Sequence, residues 1–428
     1  MPSLTISPTD DYLLHDGKPF FYLADTVWAA FANLSLDTWS QYLAYRKTQG
    51  FNAVQISILP ITHDTSTSPD NIAPFLPDAD RNWDFYSLNE AYFDKAVRMV
   101  EMAAKAGILP VLGIVWKCHV PGTSASRRSP IPSAMPQDAM AAYVEYAVRR
   151  FAPYRPVFFI SGDTAWDSDQ EPIYYMAALK IVRRLAPDAL VTMHMVPSVT
   201  LPDEFVEVVD FYMYQSGHRP DQTTPYELAI QHNGYAVKRP VVNGEPCYEG
   251  HGRGQTLTRF RAYDVRKATW QSLLSGAKMG ITYGGHGIWS CHFEGMGFVQ
   301  PRYKFVPYDW QEALRLPGAW DAAFAKWLFE RYDLFGVEPT DLLVREDPEV
   351  RVARDPKGLG RPFGSGDTIA LYMPHAYDVA LNVDLSGYRC ELWDLENRRP
   401  MVPAVESGQP STVRASVCNG DVFFVACK

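Results

Sequence analysis

At 428 residues the chain exceeds the size at which one core usually keeps growing, so a large domain with a smaller one beside it is the expected organisation. A hydrophobic share of 47%, with 13% aromatic residues and no low-complexity tract, supplies ample core for a compact globular fold. The net charge of −9 argues against nucleic acid and anionic membrane as partners, since both repel a negative surface, and favours a neutral substrate.

The segment 1–19 carries two apolar stretches, LTIS and YLLHDGKPF, on either side of TDD, and reads as a hairpin that caps a larger body. It has no basic start, apolar core or cleavage site, and no later stretch approaches the roughly 18 apolar residues of a membrane span. The expectation is a cytoplasmic enzyme. From 20 to 334 short β-rich runs alternate with amphipathic stretches of helical period, which calls for parallel strands joined by crossover helices. The strands fall at 20–24, 53–58, 109–115, 156–161, 190–195, 211–214, 240–243 and 279–283. The helices fall at 36–49, 89–106, 137–151, 172–186, 202–208, 225–235, 257–275 and 309–331.

Runs such as PVLGIV and PVFFI are apolar on both faces and must be covered on both, which a closed (β/α)8 TIM barrel ringed by helices achieves. An open doubly wound sheet is the rival, but the turn after the first strand is ADTVW and has no GxGxxG. Long connections at 59–88, 116–136 and 285–308 all follow strands and would gather at the C-terminal mouth of a barrel. From 335 to 428 helical periodicity stops and short β runs such as TIALYMP and DVFFVAC take over, as in a small β-sandwich.

Chemistry concentrates at strand ends. The fourth strand runs PVFFISGDTAW and closes on Asp163; the seventh runs RPVVNGEPCYEG and closes on Glu245. Strands four and seven of an eightfold barrel face one another across the mouth, and two carboxylates there suit cleavage of a glycosidic bond. Either acid alone could be a helix cap or a turn residue; the pair is more specific. Asp25, in LADTVW, repeats the setting of Asp163 and is assigned to sugar hydroxyls, with an exchange of roles between the two left open. Glu249 is a rival nucleophile.

Aromatic residues at the same addresses, Trp28, Trp116, Trp166, Tyr214, Tyr248 and Trp289, offer faces for sugar rings, although a chain with 11 Trp and 24 Tyr places some at any rim by chance. Polar residues at strand ends add Gln55, His119, His194, Gln215, His218 and His286. Of the histidines, His194 and His286 are taken for substrate contact, because strands five and eight open there. The residues expected to bind substrate are therefore Asp25, Trp28, Gln55, Trp116, His194, Tyr214, Gln215, His286 and Trp289. Six scattered cysteines without CxxC, and His63-Asp64, Cys118-His119 and His292 without paired spacing, predict neither a metal nor any other cofactor.

Taken together, DGKPFFYLADTVW, QGFNAVQIS, SGDTAW, NGEPCYEG and GAKMGITYGGHGIW resemble the apiosidase-like glycoside hydrolases, glycoside hydrolase family 140, over about residues 5–330. The C-terminal region is similar to the small collagen-binding-like β-domain that follows this barrel. The resemblance implies hydrolysis of glycosides of apiose or a related sugar with retention of configuration, with the acid/base on Asp163 and the nucleophile on Glu245. It implies a small oligosaccharide or glycoside substrate and says nothing of oligomeric state. Relatives acting on plant-wall polysaccharide would be exported, whereas this sequence shows no export signal, so the natural substrate is the open point. The readings held beside it are an exo-glycosidase of the same mechanism on another sugar, a non-catalytic carbohydrate-binding protein, and a barrel lyase or isomerase with His194 or His286 as base.

Overall fold

The computed structural model describes residues 4–62, 66–197, 199–254, 256, 258–298, 305–358 and 366–428. Eight parallel strands form the centre: β1 (Tyr22–Thr26), β2 (Ala53–Ser57), β3 (Leu109–Trp116), β4 (Val157–Gly162), β5 (Val191–Thr192), β6 (Tyr212–Gln215), β7 (Val241–Glu245) and β8 (Gly280–Tyr283). They are ordered β5-β4-β3-β2-β1-β8-β7-β6. An isolated parallel bridge between His194 and Met213 joins the two ends, so the sheet closes on itself as a TIM barrel.

Strand periodicity divides the core in two. Side chains of one parity, including Tyr22, Ala24, Val111, Val157, Phe159, Met213 and Val242, fill the barrel interior. Those of the other parity, including Val54, Leu112, Phe158, Ile160, Tyr214 and Val241, pack outward under the helices. Leu13, from a three-stranded antiparallel meander (Leu4–Ile6, Leu13–His15, Lys18–Phe20), joins the interior cluster; the expected hairpin thus has one strand more.

Two helices differ from expectation for identifiable reasons. The stretch 309–331 divides into Trp310–Ala313 and Gly318–Arg331, because Pro317 has no N–H to continue the ladder. The stretch 257–275 becomes helical at Ala262–Leu273, since Arg259 pairs with Gly252 in a bridge; Leu257 lies outside the described residues. Every residue from Asp264 to Leu273 is buried. The cause is the C-terminal region, where a six-stranded and a three-stranded antiparallel sheet enclose a core of their own. Trp270 stacks on Phe423 at 4.3 Å, and Arg266 forks onto Asp421 at 2.8 and 3.0 Å while also reaching Asp321 at 3.0 Å.

Candidate active site

The two expected carboxylates reach the mouth by different routes. In β4, Val157 and Phe159 face inward while Phe158 and Ile160 face the helices. Gly162 faces the Trp116 ring on the mouth side, and Asp163, the first residue past the strand, leaves strand geometry at φ 52° and brings its carboxylate beside His194 and Glu245. In β7, Val242 faces inward and Asn243 outward, where its amide donates to Ser272 Oγ on the covering helix. Strict alternation would send Glu245 outward as well. A register shift prevents this: Tyr214 pairs with Asn243 but Gln215 pairs with Glu245, so Gly244 is the extra residue of a β-bulge that turns Glu245 back into the mouth.

Both acids follow a glycine, and the surroundings explain why. A Cβ on Gly162 would stand 2.1 Å from the Trp116 ring, and one on Gly244 would stand 2.3 Å from Met213 Cγ. The missing side chains let those larger groups lie against the backbone beside the acids.

Glu245 is buried and surrounded by donors. Gln215 Nε2 donates to Oε1 at 2.6 Å; His218 Nε2 stands 3.3 Å from Oε1 and His194 Nε2 3.4 Å from Oε2. The backbone fixes both tautomers. His194 Nδ1 accepts the N–H of Asp163 and His218 Nδ1 accepts the N–H of Tyr248, each at 3.3 Å, which leaves both Nε2–H groups to face Glu245. Burial alone would raise the Glu245 pKa, but the His194 and His218 rings that face it outweigh burial and hold the carboxyl well below its ordinary range. Asp163 is more open, with 23% of its side chain exposed, and its Oδ1 lies 3.9 Å from His194 Nδ1. Ligand-type atoms of Asp163, His194 and Glu245 all lie within 4.8 Å of one another.

An aromatic wall stands beside them. Trp116 meets Trp28 at 4.9 Å, Trp28 Nε1 donates to Tyr248 Oη at 2.9 Å, and Tyr248 stacks on Trp289 at 6.2 Å. His194 lies 5.6 Å from Trp28 and 5.7 Å from Trp116. Of the expected residues, Asp163, Glu245, His194, Gln215, Trp28, Trp116 and Trp289 thus share one neighbourhood.

Four others lie elsewhere. Asp25 is still inside β1 at outward parity, fully buried, and binds Arg46 Nε at 2.6 Å and Tyr42 Oη at 2.8 Å; it belongs to the strand–helix layer and cannot exchange roles with Asp163. Tyr214 is one residue out of phase with Gln215, and its hydroxyl donates to the Pro225 carbonyl under a helix. Gln55 points into the barrel but below the mouth, where it donates to Tyr22 Oη and Thr282 Oγ1. His286 is a support: Nδ1 accepts from Trp289 Nε1 at 3.1 Å, Nε2 donates to the Phe305 carbonyl, and burial pushes its pKa down to about 3. Trp166 stacks on Phe205 away from the wall, and His119 bonds the Ser133 and Pro60 carbonyls. Glu249 bonds Tyr283 Oη and Gly318 N–H, both at 2.8 Å, behind the barrel wall.

Sequence analysis passes over His251, whose ring stacks on His218 at 4.4 Å, and gives His218 and Tyr248 no contact to an acid. The register shift at Gly244 has no distinct sequence signal apart from the glycine. The Asp163–His194–Glu245 cluster is compact enough to chelate a cation; His194 Nδ1 is taken by the Asp163 main-chain N–H, and its Nε2 faces Glu245 at 3.4 Å. His63-Asp64 lies outside the described residues, and His292 Nδ1 is within 2.9 Å of Ser66 Oγ.

A closed parallel barrel with two acids from opposite strands converging beside an aromatic wall is the architecture of a glycoside hydrolase. The family model described as "Apiosidase-like, catalytic domain" matches residues 7–336, and the chain belongs to that family. Solved structures agree in fold. A glycoside hydrolase family 5 protein from Bacteroides vulgatus superposes with a TM-score of 0.81 at 19% identity, covering 100% of this chain and 93% of that one. A second glycoside hydrolase gives 0.80 at 20%, covering 99% and 96%, and a family 5 mannosidase from Rhizomucor miehei gives 0.52 at 9%, covering 76% and 97%. No curated protein matches the chain. Among the described residues no helix is long and apolar enough to cross a membrane.

Proposed function

We propose that the protein hydrolyses terminal apiosyl or related pentosyl β-glycosidic bonds with retention of configuration, with Glu245 as nucleophile and Asp163 as acid/base. The observation that carries this reading is that one carboxylate oxygen of Asp163 and one of Glu245 lie within 4.8 Å of each other. Retaining enzymes hold their acids about 5–5.5 Å apart, whereas inverting enzymes leave about 6.5–9.5 Å for a water.

The environments divide the work. Glu245, held ionised by the Gln215 amide and by the His194 and His218 rings that face it, attacks the anomeric carbon as the C–O bond to the leaving group breaks. Asp163, nearer to solvent, gives its proton to the departing oxygen, and then takes one from the water that releases the sugar from Glu245. Trp28, Trp116, Tyr248 and Trp289 offer apolar faces to the sugar ring and keep water from the glycosyl ester. The family match supports apiose as the sugar; a different terminal sugar would use the same acids in the same way.

The test is a panel of p-nitrophenyl pentosides and hexosides that includes β-apiofuranoside, assayed with wild type and Glu245→Ala, with the anomer formed first read by NMR. Release from a furanoside, retained configuration and loss of turnover in a folded Glu245→Ala protein are expected. An inverted first product, or an unimpaired Glu245→Ala enzyme, would overturn the mechanism.

A further inference from the structure

Helix Gln170–Leu185 follows the segment that carries Asp163, and its second residue, Glu171, is a carboxylate with no exposure to solvent. Glu171 Oε2 accepts the backbone N–H of Asp167 at 2.6 Å and of Ser168 at 3.2 Å, while Oε1 accepts that of Ala165 at 3.3 Å. Three main-chain donors from one short stretch converge on a single side chain. Burial raises the Glu171 pKa, while those amides and the charge of Lys117 oppose the rise.

The stretch so held is not relaxed. Asp163 has φ 52° and Trp166 φ 54°, two non-glycine residues in the left-handed region within four positions. Such conformations persist when their surroundings over-determine them. Upstream the segment is tied to the barrel: Asp163 N–H donates to His194 Nδ1 at 3.3 Å, Thr164 N–H to the His194 carbonyl at 3.2 Å, and Val196 N–H to the Thr164 carbonyl at 2.9 Å. Downstream, Glu171 gathers the amides and Lys117 pairs with Asp167 at 2.9 Å. Lys117 directly follows Trp116, whose ring covers Gly162, so this anchor returns to the wall of the site.

We infer that Glu171 is a positioning residue for Asp163: it clamps the 163–168 turn so that the acid faces the oxygen it protonates. The inference rests on the proposed acid/base role of Asp163. A misaligned acid hurts most where the leaving group needs its proton. A general loss of structure costs every substrate alike.

The experiment compares wild type, Glu171→Gln and Asp163→Ala on phenyl and 2,4-dinitrophenyl β-apiofuranosides. Glutamine keeps the size of the side chain but turns one acceptor into a donor that faces main-chain N–H groups. Glu171→Gln is expected to lose about 10²-fold in kcat/KM on the phenyl glycoside and less than about 3-fold on the dinitrophenyl one, with KM little changed. Equal losses on both substrates, or no loss, would overturn the inference. If Asp163→Ala itself shows no dependence on leaving group, the acid/base assignment fails, and with it the role given to Glu171. If Asp163→Ala shows that dependence and Glu171→Gln does not, the positioning role alone is lost. Should Glu171→Gln not fold, Glu171→Asp, which keeps the charge but withdraws it by a methylene, is held to the same outcomes.

Discussion

His194 Nε2 lies 3.4 Å from Glu245 Oε2 while its Nδ1 accepts the main-chain N–H of Asp163, so one imidazole touches the elements bearing both acids. Its removal should therefore do two things at once. His218, which contacts Glu245 Oε1 from the other side, provides the comparison. Glu245 is held below its ordinary pKa in the folded enzyme, so losing a donor raises that pKa and moves the acid limb of kcat/KM toward higher pH. His218→Ala is expected to lower kcat/KM by about tenfold and His194→Ala by about 10²-fold, in line with hydrogen bonds to a charged group. A pH–rate profile whose acid limb stays in place in both variants would contradict the donor role.

Asp25 offers the converse test, because it shares the local sequence of Asp163 but lies between strand and helix. Asp25→Ala leaves Arg46 buried beside an uncompensated void, at a cost of about 3–5 kcal/mol. The denaturation midpoint should fall sharply while KM and kcat of the folded fraction stay near wild type. A large rise in KM without loss of stability would return Asp25 to the substrate site.

Gly162→Ala probes the packing of the wall against the strand end. The new Cβ would meet Trp116 at 2.1 Å, and the ring, packed against Trp28, Phe159 and His194, has little room to retreat. Overpacking of this kind costs about 1–3 kcal/mol, and the displaced ring should lower kcat/KM together with Tm. Unchanged Tm and activity would mean that the ring moves freely.

Glu249 ties stability to pH. Burial, opposed by hydrogen bonds from Tyr283 and Gly318, raises its pKa from the ordinary 4.5 to about 7. A carboxyl whose pKa is higher in the folded state binds its proton more tightly there. It contributes stability in full below pH 4.5 and loses that contribution as pH rises through 7, a difference of about 3 kcal/mol. Glu249→Gln should flatten this decline, so chemical denaturation at pH 5 and pH 8 should differ less in the variant than in wild type. A variant with the same decline would assign it to another group.

Much of this architecture was written in local pattern. The β4 run PVFFIS can only be a strand covered on both faces, and eight such runs separated by amphipathic helices leave few topologies besides a barrel. Alternation along β6 and β1, applied to Tyr214 and to Asp25, removes both from the site, whereas Asp163 lies past β4 in the left-handed region, where alternation no longer holds. Glu245 was found by its address at the end of β7, although its parity pointed the wrong way.

What the amino-acid sequence by itself determined was the barrel, the strand ends where acids sit and the likeness to apiosidase-like enzymes, because strand and helix periods and strand-end positions are local properties of the chain. Tertiary structure alone decided which polar groups meet: the bulge that turns Glu245 inward, the His194 and His218 tautomers, the withdrawal of Asp25 to Arg46, and the clamp of Glu171 on the Asp163 turn. Each of these depends on register between strands or on contacts between residues distant in sequence. Such relationships are settled by how the whole barrel packs and leave no trace in the spacing of residues along one segment.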